Sequence, residues 1–281
     1  MPINKLQAGL DRVFTPYSLL VLNLGIIFIC ETVGHGVYFA RTGLIHGIAI
    51  LFIIMASLRV FKKYYLFDPE VRRFLYSTLV AMVFFALSHF AEFASLKIFN
   101  AYPDAAFANV INFYLISLLF LFIGTEQVFM AYEHRSNGRV LAGCFAIVIL
   151  VLMTISFIAK STLISLDFDN PAPFAYATAV LSIGIYGMTR MNLIGKLYPW
   201  FAPFVKYMLQ AIALITLAAL VNVFYDAFHN FGVDEYQIVY LSHFTFYAAL
   251  SVMFLAYGDA LKIGGLHKDI REAMENGVIK A

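Results

Sequence analysis

The stretch PFVKYMLQAIALITLAALVNVFYDAFHN, residues 203–230, decides the fold class of this chain. It contains no charged residue between Lys206 and Asp226. About 20 predominantly apolar residues are enough for an α-helix to cross the hydrocarbon core of a bilayer. The last turns nevertheless carry Asp226 and His229, two side chains that lipid disfavours. The segment therefore predicts a transmembrane helix with polar groups near one end.

The rest of the chain has the same apolar character. Of the 281 residues, 62% are hydrophobic and 13% are charged, whereas roughly 25% of the residues in a soluble domain are charged. Eight segments are long enough to span a membrane; 172–189 is the shortest, so seven spans is the alternative. We predict an all-α, polytopic transmembrane bundle with helices over 17–39, 43–61, 74–98, 107–132, 139–159, 172–189, 203–230 and 236–258.

The basic residues predict the orientation of this bundle. With eight spans, all but three of the 19 Lys and Arg residues fall on one side of the membrane, the exceptions being Arg41, Lys97 and Lys160. Lys and Arg accumulate in cytoplasmic loops. We therefore expect both termini in the cytoplasm and a multi-pass protein of the cytoplasmic (inner) membrane. The net charge of +2 reflects these loops, so no nucleic-acid partner is expected.

The chain divides into one membrane domain and a short tail. Residues 1–260 are expected to form a single transmembrane helix bundle, and residues 261–281 a short amphipathic cytoplasmic tail. In the tail, Leu266, Ile270 and Met274 follow one another at four-residue spacing, which puts them on one helix face. Such a tail either lies on the membrane surface or docks a partner protein.

Seven ionisable side chains within four predicted spans form the candidate site. On three of these spans two such residues are three or four positions apart, which puts both on one helix face. At about 1.5 Å per residue, all seven fall in the outer half of the bilayer. Ionisable residues at that depth usually mark a functional site. They are Glu31 and His35, His89 and Glu92, Asp226 and His229, and His243.

The residue types of this set suit a metal ion. Imidazole and carboxylate ligands together suit zinc, iron, copper or manganese, and di-iron bundles place Glu-x-x-His pairs on facing helices. We predict a transition metal, zinc or iron before copper, with Glu31 and Glu92 as catalytic carboxylates. Asn222 and Ser242 are expected to support the site. The expected ligands are His35, His89, Glu92, Asp226, His229 and His243.

Several functions are compatible with such a site. The first is metal-dependent hydrolysis or oxidation of a hydrophobic or lipid-like substrate, in which a carboxylate would act as base toward a zinc-bound water. The second is a non-enzymatic sensor or complex subunit that binds a metal or, between His89 and His243, a b-type haem. The third is a proton-coupled transporter. A metal-free hydrogen-bond network between helices is the remaining alternative.

No membrane family is identified from these residues. The pair Ser88–His89 together with Asp226 is similar to part of the zinc site in the ceramidase and adiponectin-receptor superfamily. The paired histidines one turn apart on a late helix, which that superfamily also uses, are missing. A retinal protein is not indicated either, because the predicted last span, 236–258, contains no lysine.

Glu126 stands apart from the outer layer. It falls about 28 Å below residue 107 along the fourth predicted span, near the cytoplasmic face. We expect its carboxylate to pair with a basic residue of the loops, such as Arg59 or Arg135. If it is buried instead, the inner end of a proton path is the alternative.

Overall fold

The structure, a computed structural model, describes Gly25, Phe67 and the ranges 69–93, 103–132, 138–159 and 172–275. These ranges fold as α-helices, with short turns between the helices inside 172–275, which confirms the all-α prediction for this part of the chain. Apart from Gly25, the predicted spans 17–39 and 43–61, with Glu31 and His35, lie outside the described residues. The helices are α1 (Pro69–Phe93), α2 (Pro103–Tyr132), α3 (Gly138–Ala159), α4 (Ala172–Leu197), a 3-10 turn (Pro199–Phe201), α5 (Ala202–Val223), α6 (Tyr225–Asn230) and α7 (Glu235–Glu275).

Four segments of the described chain are long and apolar enough to cross a membrane. By helix length and hydropathy, this is therefore a multi-pass integral membrane protein. α3 and α4 occupy two further predicted spans, and the described apolar run of α3, Val140–Thr154, is shorter than a full span. The count of eight and the orientation stay predictions. The four segments are Val71–Ser88, Val110–Phe129, Pro199–Val223 and Leu241–Asp259.

α2 lies at the centre of the described bundle. It packs against α1, α3, α4 and α5, and between Val110 and Phe129 each of its side chains is buried or half-buried. On its α1 side, the hydroxyl of Ser117 donates a hydrogen bond of 2.7 Å to the carbonyl oxygen of Ala81. The burial along this length places α2 in the interior of the described bundle.

α1, α5 and α7 are mutual neighbours. The ring of Phe74 on α1 lies 5.5 Å from that of Phe204 on α5, and the ring of Phe85 lies 4.9 Å from that of Phe246 on α7. α5 also packs along α7. Of the four spans predicted to share the outer polar layer, the three that the structure describes are therefore in contact.

Two glycines allow these helices to approach closely. A methyl group added to Gly184 on α4 would overlap with the hydroxyl of Thr216 on α5. A methyl group added to Gly124 on α2 would lie 2.9 Å from the Cβ of Ser77 on α1. Lipid tails provide little hydrophobic drive for helix association, so membrane bundles depend on such close backbone contacts.

The predicted helix over 203–230 is two helices, so the prediction of one continuous helix was wrong. α5 ends at Val223, and Phe224 has φ −100° and ψ 20°. The Phe224 N–H still donates to the carbonyl of Leu220 at 3.0 Å, so the chain resumes at once as α6. α6 ends beside Gly232, whose φ of 83° is one that favours glycine. Asp226 and His229 therefore lie on the short α6.

α7 extends beyond any membrane span. It has 41 residues, which at 1.5 Å per residue is about 60 Å, or roughly twice the hydrocarbon core. The helix continues without a break through Gly264 and Gly265 to Glu275. Residues 261–275 of the expected tail are therefore part of the same helix as the predicted last span.

Candidate functional site

Two residues of the predicted outer layer, His89 and His243, lie on the neighbouring helices α1 and α7. Thr78 on α1 accepts a hydrogen bond of 2.6 Å from the hydroxyl of Tyr257, and later on α1 Phe85 meets Phe246, earlier on α7. The two helices are therefore antiparallel. His89 is one turn beyond Phe85 and His243 is one turn before Phe246, so their backbones lie toward the same end of the bundle. The side chains of His89 and Glu92 are outside the described set.

A buried hydrogen bond joins α5 to α7 at this level. The side-chain amide of Asn222 donates to the hydroxyl oxygen of Ser242 at 2.9 Å and to the carbonyl of Ala218 at 2.8 Å. Both Asn222 and Ser242 are buried. A buried polar group without a partner costs free energy, so this pair fixes the two helices in register beside His243.

The three described members of the predicted set differ in burial. His243 is 6% exposed. Asp226 is half-buried, and His229, on the last turn of α6, is exposed. Asp226 and His229 sit beyond the break at Phe224, so they lie nearer to the end of the bundle than Asn222 does.

Within the described part of the chain, no three His, Cys, Asp or Glu side chains come close enough together to hold a metal ion. Asp226, His229 and His243 therefore do not form a ligand set by themselves. A complete set needs a contribution from the other predicted members, which are Glu31, His35, His89 and Glu92.

A second buried polar cluster surrounds Glu126, which is 2% exposed. Its Oε1 lies 2.8 Å from the Nε of Arg190 on α4 and accepts a hydrogen bond of 3.3 Å from the hydroxyl of Tyr186. The guanidinium of Arg190 also packs over the rings of Tyr186 and Phe129, at 5.1 and 4.8 Å from their centroids. We call Glu126, Arg190, Tyr186 and Phe129 the Glu126 junction.

The sequence interpretation missed the partner of Glu126. The predicted span 172–189 ended one residue before Arg190, which placed this residue in a loop, whereas α4 continues to Leu197. Tyr186 and Arg190 are four residues apart and therefore share a helix face, and that spacing was the available signal. The expected partners Arg59 and Arg135 lie outside the described residues.

The two clusters lie at different heights in the bundle. Tyr114 on α2 packs against Phe85, with ring centroids 4.9 Å apart, and so marks the level of the Phe85–Phe246 contact. Glu126 is twelve residues further along α2, which is about 18 Å. The bundle thus has a charged pair toward one end and an imidazole, amide and hydroxyl layer toward the other.

No protein family model, curated protein or solved structure matches this chain. The class that its helices define is an all-α, multi-pass integral membrane protein.

Proposed function

We propose that this membrane protein binds a transition metal ion in the outer layer and uses it to act on a hydrophobic or lipid-like substrate. The proposal rests on one observation above all. α1 and α7 carry His89 and His243 to the same end of the bundle, and His243 is buried beside the Asn222–Ser242 hydrogen bond. An ionisable ring held in a membrane interior is costly unless it has a function or a partner.

Each member of the set has an assigned role. His89 and His243 would supply imidazole nitrogens at about 2.0–2.1 Å if the metal is zinc. Glu31 and Glu92 would act on the substrate, one of them as general base toward a metal-bound water. Iron or copper in place of zinc would favour oxidation over hydrolysis. The remaining ligands would come from His35, Glu92, Asp226 and, at the exposed edge, His229.

The surroundings of His243 support an apolar substrate. Leu241 and Phe244 flank it on α7 and are 44% and 36% exposed. Exposed apolar side chains on a transmembrane helix face lipid, so a lipid-like molecule would reach this end of α7 directly from the bilayer.

A sensor or complex subunit is the second candidate function. One observation favours it: α7 carries both His243 and the tail as far as Glu275 in one continuous helix. A change at His243, on binding a metal or a b-type haem, would then act on the same rigid element that carries the tail. A visible spectrum of the purified protein distinguishes haem from the other metals.

Elemental analysis of the purified protein tests the proposal. We expect about one zinc, iron or copper ion per chain, lost in His89→Gln and His243→Gln, since glutamine keeps polarity but replaces the imidazole ligand. The matched control is His267→Gln, far along α7 from the layer. A wild-type chain without metal, even after incubation with each of the three ions, would refute the proposal.

A further inference from the structure

α3 touches the rest of the bundle along one narrow stripe. The helix packs against α2 and α4, whereas Val140, Ile147 and Leu150 on its other sides are 71%, 63% and 63% exposed. α1, α2, α4, α5 and α7 contact one another without it. Within the described bundle, α3 is therefore a peripheral helix. Its inward residues recur every three or four positions, and they are Gly138, Leu141, Ala142, Phe145, Ile149 and Leu152.

The carboxylate of Glu126 lies against the start of α3. Gly138 is the first residue of this helix, and a methyl group added there would overlap with Oε2 of Glu126. Oε2 thus occupies the space in which any other side chain at position 138 would begin. Since Oε1 faces Arg190 on α4, the two oxygens of one carboxylate meet two different helices.

The charge of Glu126 suits this position. The first N–H groups of an α-helix have no partner within the helix, and the helix dipole makes that end positive. The first turn of α3 contains no acidic residue of its own. A carboxylate supplied by α2 therefore takes the place of a local N-terminal acid.

A second polar contact holds the far part of α3. The hydroxyl of Tyr176 on α4 donates to the carbonyl oxygen of Leu152 at 3.0 Å and lies 3.1 Å from the amide oxygen of Asn112 on α2. Leu152 is fourteen residues from Gly138, which is about 21 Å along the helix. The two polar contacts of α3 are thus well separated, and each holds one part of it.

We propose that the Glu126 carboxylate is a latch whose negative charge holds the start of α3 against α2 and α4. Without that charge, the first turns of α3 separate from the bundle, while the Tyr176 contact keeps the far part in place. The other helices stay assembled because their mutual contacts do not pass through α3. The position of α3 in the bundle therefore depends on the charge of one carboxylate, that of Glu126.

Hydrogen exchange on the full chain in lipid nanodiscs, followed by mass spectrometry, tests the latch. Glu126→Gln retains the shape of the side chain and removes its charge. We expect exchange in 138–145 to rise at least tenfold more than any rise in α5 and α7, because Glu126→Gln also weakens the contact with Arg190. Asp234→Asn, the same chemical change at an exposed carboxylate in the turn before α7, is the control and leaves 138–145 as in the wild type.

A second pair of variants keeps the test decisive if Glu126→Gln does not fold. Gly138→Ala places a methyl group in the space of the carboxylate, whereas Gly143→Ala, also on α3, meets no atom within 4 Å. We expect faster exchange in 138–145 for Gly138→Ala alone. The proposal would be overturned if exchange in 138–145 were unchanged in both Glu126→Gln and Gly138→Ala. A rise of equal size in every helix of these variants would also overturn it.

Discussion

The Glu126 junction and the outer layer around His243 are both buried and polar, but their chemistry differs. In the junction, opposite charges of Glu126 and Arg190 neutralise each other, and aromatic rings cover the guanidinium. In the layer around His243, an amide–hydroxyl pair joins two helices next to an imidazole, a side chain that commonly binds metal ions. A charged pair links two helices by electrostatic attraction, whereas an imidazole can also serve as a metal ligand. We therefore propose a structural role for the Glu126 junction and a functional role for the layer around His243.

The largest expected effect comes from breaking the ion pair on one side. Arg190→Met leaves the carboxylate of Glu126, 2% exposed, without its cation, and removing one partner of a buried pair typically costs about 3–5 kcal/mol. Unfolding in mixed detergent measures this loss as a free energy of unfolding. The control is Lys196→Met, an exposed position on the same helix.

The corresponding double variant sharpens the comparison. Glu126→Leu combined with Arg190→Met replaces both charges by apolar groups, which is often close to neutral. We expect the double variant to regain most of the stability lost in Arg190→Met. A double variant less stable than either single one would show that the junction contributes more than charge neutralisation.

The next effect concerns the close approach of α4 and α5. Gly184→Ala forces a methyl group into the hydroxyl of Thr216, and overpacking of this kind costs about 1–3 kcal/mol. At Gly187, three residues further on α4, the nearest atom to an added methyl group is Ile212 Cγ2 at 4.0 Å. Gly187→Ala should therefore leave the free energy of unfolding nearly unchanged. Equal losses in both variants would contradict the packing described for Gly184.

A smaller effect on stability, coupled to an effect on binding, is expected in the outer layer. Asn222→Ala removes the amide that donates to Ser242 and Ala218, and the loss of such buried hydrogen bonds costs about 1–3 kcal/mol. Loss of a group that supports a metal site typically weakens binding 10–100-fold. Calorimetric titration with zinc measures this loss of metal affinity. Unaltered zinc affinity would separate the Asn222–Ser242 pair from the proposed site.

The smallest effect is expected at the exposed edge of that layer. His229 is exposed on α6, and substitutions at such positions usually change stability by less than about 0.5 kcal/mol. His229→Ala should therefore unfold like the wild type and lose less metal than His243→Gln does. Complete loss of metal in His229→Ala would show that the metal binds at the end of the bundle, near α6, instead of beside His243.

The sequence was sufficient for the fold class because membrane helices are specified by length and apolarity. It predicted the helix over 139–159 almost to the residue, since α3 spans Gly138–Ala159. It placed the start of α1 five residues late and the end of α4 eight residues early. Charged and polar residues such as Arg190 end an apolar run without ending a helix, so hydropathy alone misplaced these boundaries.

Hydropathy also did not show that the last helix continues into the tail. The expected tail begins at residue 261, but α7 has no break there and continues through Gly264 and Gly265. Glycine in a helix interior costs about 1 kcal/mol relative to alanine, and a long helix can offset that cost. The spacing of three residues between Asp226 and His229 placed them on one helix, and both do lie on α6. Which helices meet, and therefore that Glu126 finds Arg190, depends on packing that one sequence does not specify.

The central claim is that the Glu126 junction stabilises the bundle and the layer around His243 binds metal. Metal content and unfolding free energy, measured together on His243→Gln and Arg190→Met, test this claim most directly. We expect His243→Gln to lose its metal and to lose less stability, relative to the metal-free wild type, than Arg190→Met, because glutamine retains hydrogen-bonding groups. We expect Arg190→Met to lose about 3–5 kcal/mol and to keep its metal. If the two variants lose metal and stability in the same proportion, the two clusters are one structural network and the assignment of function to the outer layer is wrong.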